Sequence, residues 1–244
     1  MTDSSRPPRV GILCPMVPEF APLKHKLDLQ SEARGDLRVH TGRIEGAEVM
    51  ATITGIGMQP ATEVTEQLLD AIDPDHVIVV GVAGGIAPHT KVGDLVIPAV
   101  VYDSETETER HAFALGDTKP AGTIRSSDDF LTDDEVLAEL AGRGVIALDM
   151  ETAAVAAVCE RRGVPWTAFR SISDMATDDD ASDELLGLAK SDGTANVGGL
   201  IKFLAFKPWR IRQLSRLAKG TKIATNAAAD AAVEACTQHQ FDAA

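Results

Sequence analysis

The sequence predicts an α/β protein, a three-layer αβα sandwich around a mixed, mostly parallel central sheet. Short apolar runs alternate along the chain with longer stretches whose apolar residues recur at helical spacing. Several of the short runs are apolar at every position, which is typical of parallel strands covered on both faces. With 244 residues, 44% of them hydrophobic, the chain can bury a substantial core as a single domain, 1–244.

The first half of the chain alternates between the two patterns. Val10–Cys14 is a short apolar run and predicts a buried strand. The next stretch carries Phe20, Leu23 and Leu27 on one face, which predicts a helix. The elements expected in this half are, in chain order, a strand at 10–14, a helix at 19–29, strands at 37–40 and 48–54, and a helix from Gly55 to Ile72.

The second half begins with the most strand-like run, His76–Val80, which leads into Gly81-Val82-Ala83-Gly84-Gly85. Such glycines let a backbone turn sharply and approach a ligand closely, although they also permit tight packing between a strand and a helix. The other expected elements are strands at 94–101, 145–148 and 166–172, a helix at 151–162 and an alanine-rich helix around 226–232.

Two segments fit neither pattern. Residues 103–122 are polar and predict a loop or a lid. Residues 187–220 combine glycines with a basic amphipathic piece, Lys207 to Leu217, and predict a helical insertion. Most basic helix faces of this kind are solvated, and a partner-binding helix is the alternative.

Charge and composition exclude several kinds of partner. The formal net charge of −14 argues against a nucleic-acid backbone or an anionic membrane, because both select a basic surface. The cysteines, Cys14, Cys159 and Cys236, are too far apart for a disulfide framework or a metal site, so a reducing cytoplasm is expected. No signal peptide, membrane span, metal or cofactor is predicted.

Four separated motifs indicate a function. They are Gly11-Ile12-Leu13-Cys14-Pro15-Met16-Val17-Pro18-Glu19, Thr54-Gly55-Ile56-Gly57, Gly81-Val82-Ala83-Gly84-Gly85-Ile86 with Val92-Gly93-Asp94-Leu95-Val96, and Asp149-Met150-Glu151 with Ser173-Asp174. Their order and spacing resemble the 5′-methylthioadenosine/S-adenosylhomocysteine nucleosidases, in the type I nucleoside phosphorylase family, over residues 9–186. The resemblance implies that water attacks the ribose of a small nucleoside, that adenine departs, and that the enzyme is a homodimer.

The resemblance also implies a role for each matching residue. Glu19 corresponds to the carboxylate that activates the water, and Asp174 to the acid that protonates N7 of the purine. Glu151 corresponds to the residue that binds the 2′- and 3′-hydroxyls. The other residues implied at the substrate are Met150 beside the sugar, Phe130 stacked on the base, Leu131 at the base edge, Arg170 near the ribose-binding glutamate, and Val82, Ala83, Gly84 and Ser173.

The chemistry of the bond leads to the same carboxylates. An N-glycosidic bond breaks through a sugar cation, and glycosidases generally place one acid and one base on opposite sides of the bond. Glu19 and Asp174 can supply that pair if burial or a nearby like charge raises the pKa of Asp174 enough to keep its proton. Glu151 can accept two hydroxyl hydrogen bonds at once and places negative charge near the cation.

Water is expected as the nucleophile in place of phosphate. Phosphorylases of this family need arginines around the phosphate, one of them commonly just before the glycine motif, where this chain has Val77-Ile78-Val79-Val80. A phosphate beside Glu19 without a cation would be strongly disfavoured. Two alternatives stay open, a phosphate-dependent nucleoside phosphorylase and a sensing or effector module in which 187–220 binds a partner.

Structural roles are alternatives for the same residues. Glu19 could be a first-turn acid, Glu151 could favour a helix dipole, and Asp174 could cap a short helix. Phe130 could belong to the core, and Arg170 could form a structural ion pair. The 5′-substituent of the nucleoside does not follow from the sequence.

Overall fold

The computed structural model describes residues 6–35, 37–129, 131–176 and 211–239. In these parts of the chain, eleven strands form one mixed sheet. The strands are β1 (Arg9–Cys14), β2 (Gln30–Arg34), β3 (Leu37–Ile44), β4 (Ala47–Ile53), β5 (His76–Gly85), β6 (Leu95–Val96), β7 (Val100–Asp103), β8 (Thr108–His111), β9 (Thr123–Ser126), β10 (Val145–Asp149) and β11 (Trp166–Met175). The helices are α1 (Val17–Lys26), α2 (Met58–Ile72), α3 (Asp134–Gly142), α4 (Thr152–Arg162) and α5 (Ile211–Gln238).

The strand order is β2-β3-β4-β1-β5-β10-β9-β7-β8, and β11 pairs with both β5 and β6. The central pairs β1–β4, β1–β5 and β5–β11 are parallel, and the hairpins β2–β3, β3–β4 and β7–β8 are antiparallel. The mixed sheet with a parallel centre that the sequence predicts is therefore confirmed. Strand β5 contacts β1, β10 and β11, so it is the strand around which the sheet is organised.

Helices cover both faces of the sheet. Leu13 and Val77 pack into the core shared with α2 and α4. Their chain neighbours, Ile12 and Ile78, pack into the core shared with α1 and α5. This alternation is the two-residue period of a strand buried on both sides, and it explains why every position of these runs is apolar. The three-layer sandwich is confirmed.

Helix α5 packs on the sheet through small side chains. Ala224, Ala228 and Ala232 recur every fourth residue and are buried, so one face of the helix lies close to the strands. The helix begins at Ile211, and residues 211–220 of the predicted insertion are therefore continuous with the alanine-rich helix. The remainder of that segment, 187–210, lies outside the described residues.

Two expectations are corrected. The single strand expected at 94–101 is two short strands, β6 and β7, separated by a stretch that contains Pro98, which has no N–H to donate to a ladder. The segment 103–122 is not only a loop or lid, because residues 108–111 form β8 in a hairpin with β7. Most side chains of β8 face solvent, so this strand has no apolar signal in the sequence.

The described parts of the chain contain no helix that is both long and apolar enough to cross a membrane. Cys14, Cys159 and Cys236 are all buried free thiols. Within the same ranges, no group of three or more His, Cys, Asp or Glu side chains is arranged to hold a metal ion.

Candidate active site

A cavity of about 320 Å³ lies where the central strands end. Because β1, β5 and β11 run parallel, the residues that follow them meet at one edge of the sheet. Strand β10 pairs antiparallel with the end of β5 and brings 149–151 to the same edge. The lining residues singled out in the sequence are Glu19, Val82, Ala83, Gly84, Leu131, Met150, Glu151, Ser173 and Asp174. Further lining residues are Pro15, Met16, Ile56, Asp129, Leu148, Asp149, Ala176, Leu217 and Thr221.

Arg170 and Phe130, which the resemblance also implies at the substrate, are not among the described lining residues. Arg170 is fully buried and does not line the cavity; its guanidinium lies behind Glu151, with Nη2 at 3.4 Å from the Oε2 atom of that carboxylate. Phe130 lies outside the described residues, between Asp129 and Leu131, which both line the cavity.

Glu19 lies in the first turn of α1 with only 1% of its surface exposed. Its Oε2 atom accepts a hydrogen bond from the Met16 backbone N–H at 2.7 Å, and its Oε1 atom accepts one from the Val82 N–H at 2.8 Å. Glu19 therefore does cap its own helix, as the structural alternative requires. The second hydrogen bond joins this carboxylate to β5 and holds it at the cavity.

The protonation of Glu19 depends on its burial. Burial raises the pKa of Glu19 to about 7, although the Arg170 guanidinium and the amide hydrogen bonds from Val82 and Met16 oppose the shift. A carboxyl group with a pKa near neutrality can both take up and release a proton under ordinary conditions. This is the protonation behaviour that a general base requires.

Gly81 makes room for this arrangement. A Cβ atom at this position would lie 2.3 Å from Arg170 Nη1 and 2.6 Å from Glu19 Oε1. Both contacts are far shorter than atoms tolerate, and both neighbours are buried, so neither can move easily. The glycine therefore allows a carboxylate and an arginine to approach the same point of β5, which is the close-approach role rather than loop flexibility.

Glu151 is the residue immediately before α4, but its side chain does not cap that helix. Instead, its Oε1 atom accepts a hydrogen bond at 3.1 Å from the backbone N–H of Gly57, at the start of α2. The positive end of α2 thus faces this carboxylate. Burial raises the pKa of Glu151, Arg170 opposes the shift, and the nearby Asp149 and Glu19 carboxylates reinforce it.

A buried network supports Glu151 from behind. The Arg170 Nη2 atom lies 2.6 Å from Asp149 Oδ2, and the guanidinium donates to Thr152 Oγ1 from Nε at 3.1 Å and from Nη2 at 2.8 Å. The hydroxyls of Ser126 and Thr152 in turn donate to Asp149. Burial alone would lower the pKa of Arg170, but the adjacent carboxylates outweigh it and the net shift is upward. Arg170 is therefore a paired, charged residue.

Most of this network is not evident from the sequence. Asp149 could have been found, because a carboxylate at the end of a buried strand requires a cation, and Arg170 is the buried cation available. The Asp149 carboxylate reaches the Arg170 guanidinium directly. Ser126 carries no such signal, because its partners, Asp149 and the backbone N–H of Ala153, are distant in the chain.

Asp174 reaches the cavity through an irregularity in β11. The pairing with β5 runs in register to Ile172 opposite Ala83 and resumes with Asp174 opposite Gly84, so Ser173 is the extra residue of a β-bulge. Bulges redirect side chains, and here Ser173 and Asp174 both line the cavity. The Ser173 hydroxyl donates to Asp174 Oδ1. Asp174 is only half-buried although its neighbours in the sequence are largely apolar, and it lies in a strand, which removes the helix-cap alternative.

The cavity is strongly acidic. Its lining contains the carboxyl groups of Glu19, Asp129, Asp149, Glu151 and Asp174, and no lysine or arginine is among the described lining residues. Such a surface favours hydroxyl donors and developing positive charge, and it disfavours phosphate. The arrangement can bind a pentose and assist the departure of a group that needs a proton.

Comparison with known proteins gives a consistent result. A profile described as the phosphorylase superfamily matches residues 9–121 and 106–202. The 5′-methylthioadenosine/S-adenosylhomocysteine nucleosidase of Tolumonas auensis is 28% identical over 229 residues, covering 80% of this chain and 100% of that protein. The enzyme of the same name from Shewanella loihica is 29% identical over 206 residues, covering 72% and 90%.

Solved structures share the fold. The nucleosidase of that name from Neisseria meningitidis, in complex with methylthio-immucillin-A, superposes with a TM-score of 0.69 at 20% identity, covering 94% of this chain and 98% of the other. The futalosine hydrolase of Helicobacter pylori superposes with a TM-score of 0.66 at 21% identity, covering 91% and 94%.

Proposed function

The chain belongs to the phosphorylase superfamily, and we propose that it is a nucleosidase that hydrolyses the N-glycosidic bond of 5′-substituted adenosines and releases adenine. One observation carries the proposal: Glu19, Glu151 and Asp174 line a single cavity in which no described residue offers a cation for phosphate. The curated relatives, which bear the name methylthioadenosine/S-adenosylhomocysteine nucleosidase, support the same reaction. The enzyme is thus an N-glycosyl hydrolase.

In the proposed mechanism, Glu151 holds the ribose. One carboxylate oxygen accepts from Gly57 N–H and the other faces Arg170, so the side chain is fixed before substrate arrives. Each oxygen has a further lone pair, and these can accept the 2′- and 3′-hydroxyl hydrogens. Negative charge at this position also stabilises the sugar cation as it forms.

Proton transfer then occurs on both sides of the bond. Electrons of the bond between the sugar and the purine move to the purine, and Asp174 delivers a proton to N7, so that neutral adenine leaves. Water attacks the anomeric carbon and gives up its proton to Glu19, whose two oxygens each accept one amide hydrogen bond, from Met16 and from Val82. The proposed contacts of Phe130 and Leu131 with the base, and of Val82, Ala83 and Gly84 with the nucleoside, complete the substrate site.

The identity of the nucleophile is the first test. We expect adenine release from methylthioadenosine at the same rate in phosphate-free buffer and in buffer with phosphate, with methylthioribose as the other product. The physical reason is the acidic cavity, in which a phosphate dianion finds no described cation. Chromatography of both products provides the measurement. Activity that requires phosphate, with a sugar 1-phosphate as product, would establish the phosphorylase alternative instead.

The pH dependence is the second test. Since burial raises the pKa of Glu19 to about 7, and a base must be ionised to accept a proton, we expect kcat/KM to fall as the pH drops through about 7. Glu19→Gln, which cannot ionise, should lose most activity at every pH. The matched variant Glu63→Gln alters an exposed glutamate of α2 and should keep the wild-type profile. A kcat/KM that stays constant between about pH 5 and 8 would contradict the role of Glu19.

The lining also bears on the 5′-substituent. Pro15, Met16 and Ile56 add apolar surface to a cavity whose described residues include no cation. We therefore propose an uncharged 5′-group, such as a methylthio group, in preference to one that ends in a carboxylate. A nucleoside with a carboxylated 5′-extension should show the lower kcat/KM.

Assembly and location are also proposals. We propose a homodimer in the cytoplasm. The resemblance to the nucleosidase family supports the dimer, and the three buried free thiols agree with a reducing compartment. We further propose that the chain forms one domain, 1–244, with a helical insertion at about 187–220, of which residues 211–220 belong to α5.

A further inference from the structure

Helix α5 makes an unusually close contact with the strand that carries Asp174. Gly220 is buried, and a Cβ atom at this position would lie 2.3 Å from the backbone carbonyl oxygen of Ser173. Ser173 is the extra residue of the bulge in β11. The helix therefore contacts the irregularity that directs Asp174 into the cavity.

A glycine at this position needs a reason. Gly220 lies inside a helix that runs from Ile211 to Gln238, where glycine is less favourable than alanine because it leaves the unfolded backbone more freedom. The buried face of α5 continues from Gly220 through Ala224 and Ala228. At Ala224 and Ala228 the space between helix and sheet holds a methyl group. At Gly220, over the bulge, it does not.

The same turn of α5 also borders the acid. Leu217 and Thr221, on either side of Gly220, line the cavity together with Ser173 and Asp174. Leu217 and Gly220 also border a second, smaller space, which Ser173 and Asp174 line as well. This turn therefore contacts the bulge directly at Ser173 and borders the same cavity as the Asp174 carboxyl group.

We propose that Gly220 is a positioning residue for Asp174: the missing side chain lets α5 hold the bulge at the place from which the carboxyl group reaches the leaving base. The proposal rests on the proposed function, in which Asp174 is the proton donor. A methyl group at position 220 would force the helix and the bulge apart by roughly 1 Å, and a displacement of that size commonly lowers rates by about 100-fold.

The substitution Gly220→Ala tests the proposal with two leaving groups. Adenine needs a proton to depart, whereas 4-nitrophenolate leaves as a stable anion. We expect kcat for methylthioadenosine to fall about 10- to 100-fold, and kcat for 4-nitrophenyl 5-methylthio-β-D-riboside to change less than about threefold. Gly142→Ala is the matched control, because a Cβ atom at that helix position meets nothing within 4 Å; it should leave both substrates unaffected.

A second measurement uses methylthioadenosine alone. If Gly220 acts through Asp174, adding Gly220→Ala to Asp174→Asn should lower kcat by less than about a further threefold, because the acid is already lost. Should Gly220→Ala not fold, Ala224→Val adds bulk to the same buried face of α5 one turn beyond the bulge, and it should show the same selectivity for adenine over 4-nitrophenolate.

The outcomes separate the two proposals. An equal loss on both substrates would indicate general damage to the cavity, and unchanged activity would indicate that the contact is unimportant; either result overturns the role of Gly220. The role of Gly220 would also be overturned if Gly220→Ala lowered kcat as much in the Asp174→Asn variant as in the wild-type enzyme. In all three cases the proposed function stands if the wild-type enzyme hydrolyses methylthioadenosine, and it falls if the wild-type enzyme releases no adenine.

Discussion

Asp174→Asn is expected to lower kcat for methylthioadenosine by about 10²–10⁴-fold, the usual contribution of one positioned acid. An asparagine side chain fits the same space and can accept the hydrogen bond that Ser173 donates to Asp174, but it has no proton to give to N7 of the purine. The proposed ribose contact, Glu151, lies at the start of α4 and is held by Gly57 independently of Asp174, so KM should change only a few-fold. Steady-state kinetics with adenine detection provides the measurement.

A matched control separates proton donation from charge. Asp129 also lines the cavity, but its side chain is 80% exposed. Asp129→Asn removes one negative charge from the same site and should change kcat by less than about threefold, because a solvated carboxylate contributes little. If Asp174→Asn kept near-normal turnover, or if both variants lost activity equally, the assignment of Asp174 as the acid would be wrong.

Arg170→Met is expected to cost about 3–5 kcal/mol of unfolding free energy, because it leaves the buried carboxylates of Asp149 and Glu151 without their cation. Methionine keeps much of the side-chain volume, so the decrease in unfolding free energy reflects the lost charge more than lost packing. Denaturant unfolding at neutral pH measures the change. The remaining folded protein should bind the ribose poorly, since Glu151 loses the partner of its Oε2 atom.

The control for this variant is another paired arginine. Arg162 contacts Glu66 at 2.8 Å and Asp70 at 2.7 Å, but its side chain is 39% exposed. Arg162→Met should cost less than about 1 kcal/mol, since surface ion pairs are screened by water. If Arg162→Met and Arg170→Met lowered the unfolding free energy by similar amounts, the buried carboxylates of Asp149 and Glu151 would not depend specially on the Arg170 cation.

The strands that form the centre of the fold were predictable for a simple reason. Val10–Cys14 of β1 and Val77–Val80 of β5 are buried on both faces, so these residues are apolar, and the pattern appears in the sequence without any partner. β2 is exposed along its whole length, and β8 is exposed at most positions. Those two strands form through backbone pairing at the edges of the sheet, and their exposed side chains show no apolar pattern that would predict a strand.

The helices show the same division. α2 buries one face, and its period is visible between Gly57 and Ile72. α3 is short, and Leu137 is its one buried residue. A single buried position gives no helical spacing of apolar residues that could be recognised in the sequence. For α5, the alanines indicated a helix around 226–232, but its continuation back to Ile211 is a property of the folded chain.

Some features of the candidate site follow from the sequence, and others depend on tertiary contacts. The sequence by itself determined the fold class and which carboxylates stand at the ends of which strands, because burial on two faces and motif order are local properties of the chain. Only the tertiary structure decided that Arg170 lies behind the cavity, that Glu19 accepts a hydrogen bond from β5, and that Asp174 follows a bulge against which Gly220 packs. These facts depend on contacts between residues far apart in the chain, whose spacing is decided only when the strands and helices pack together.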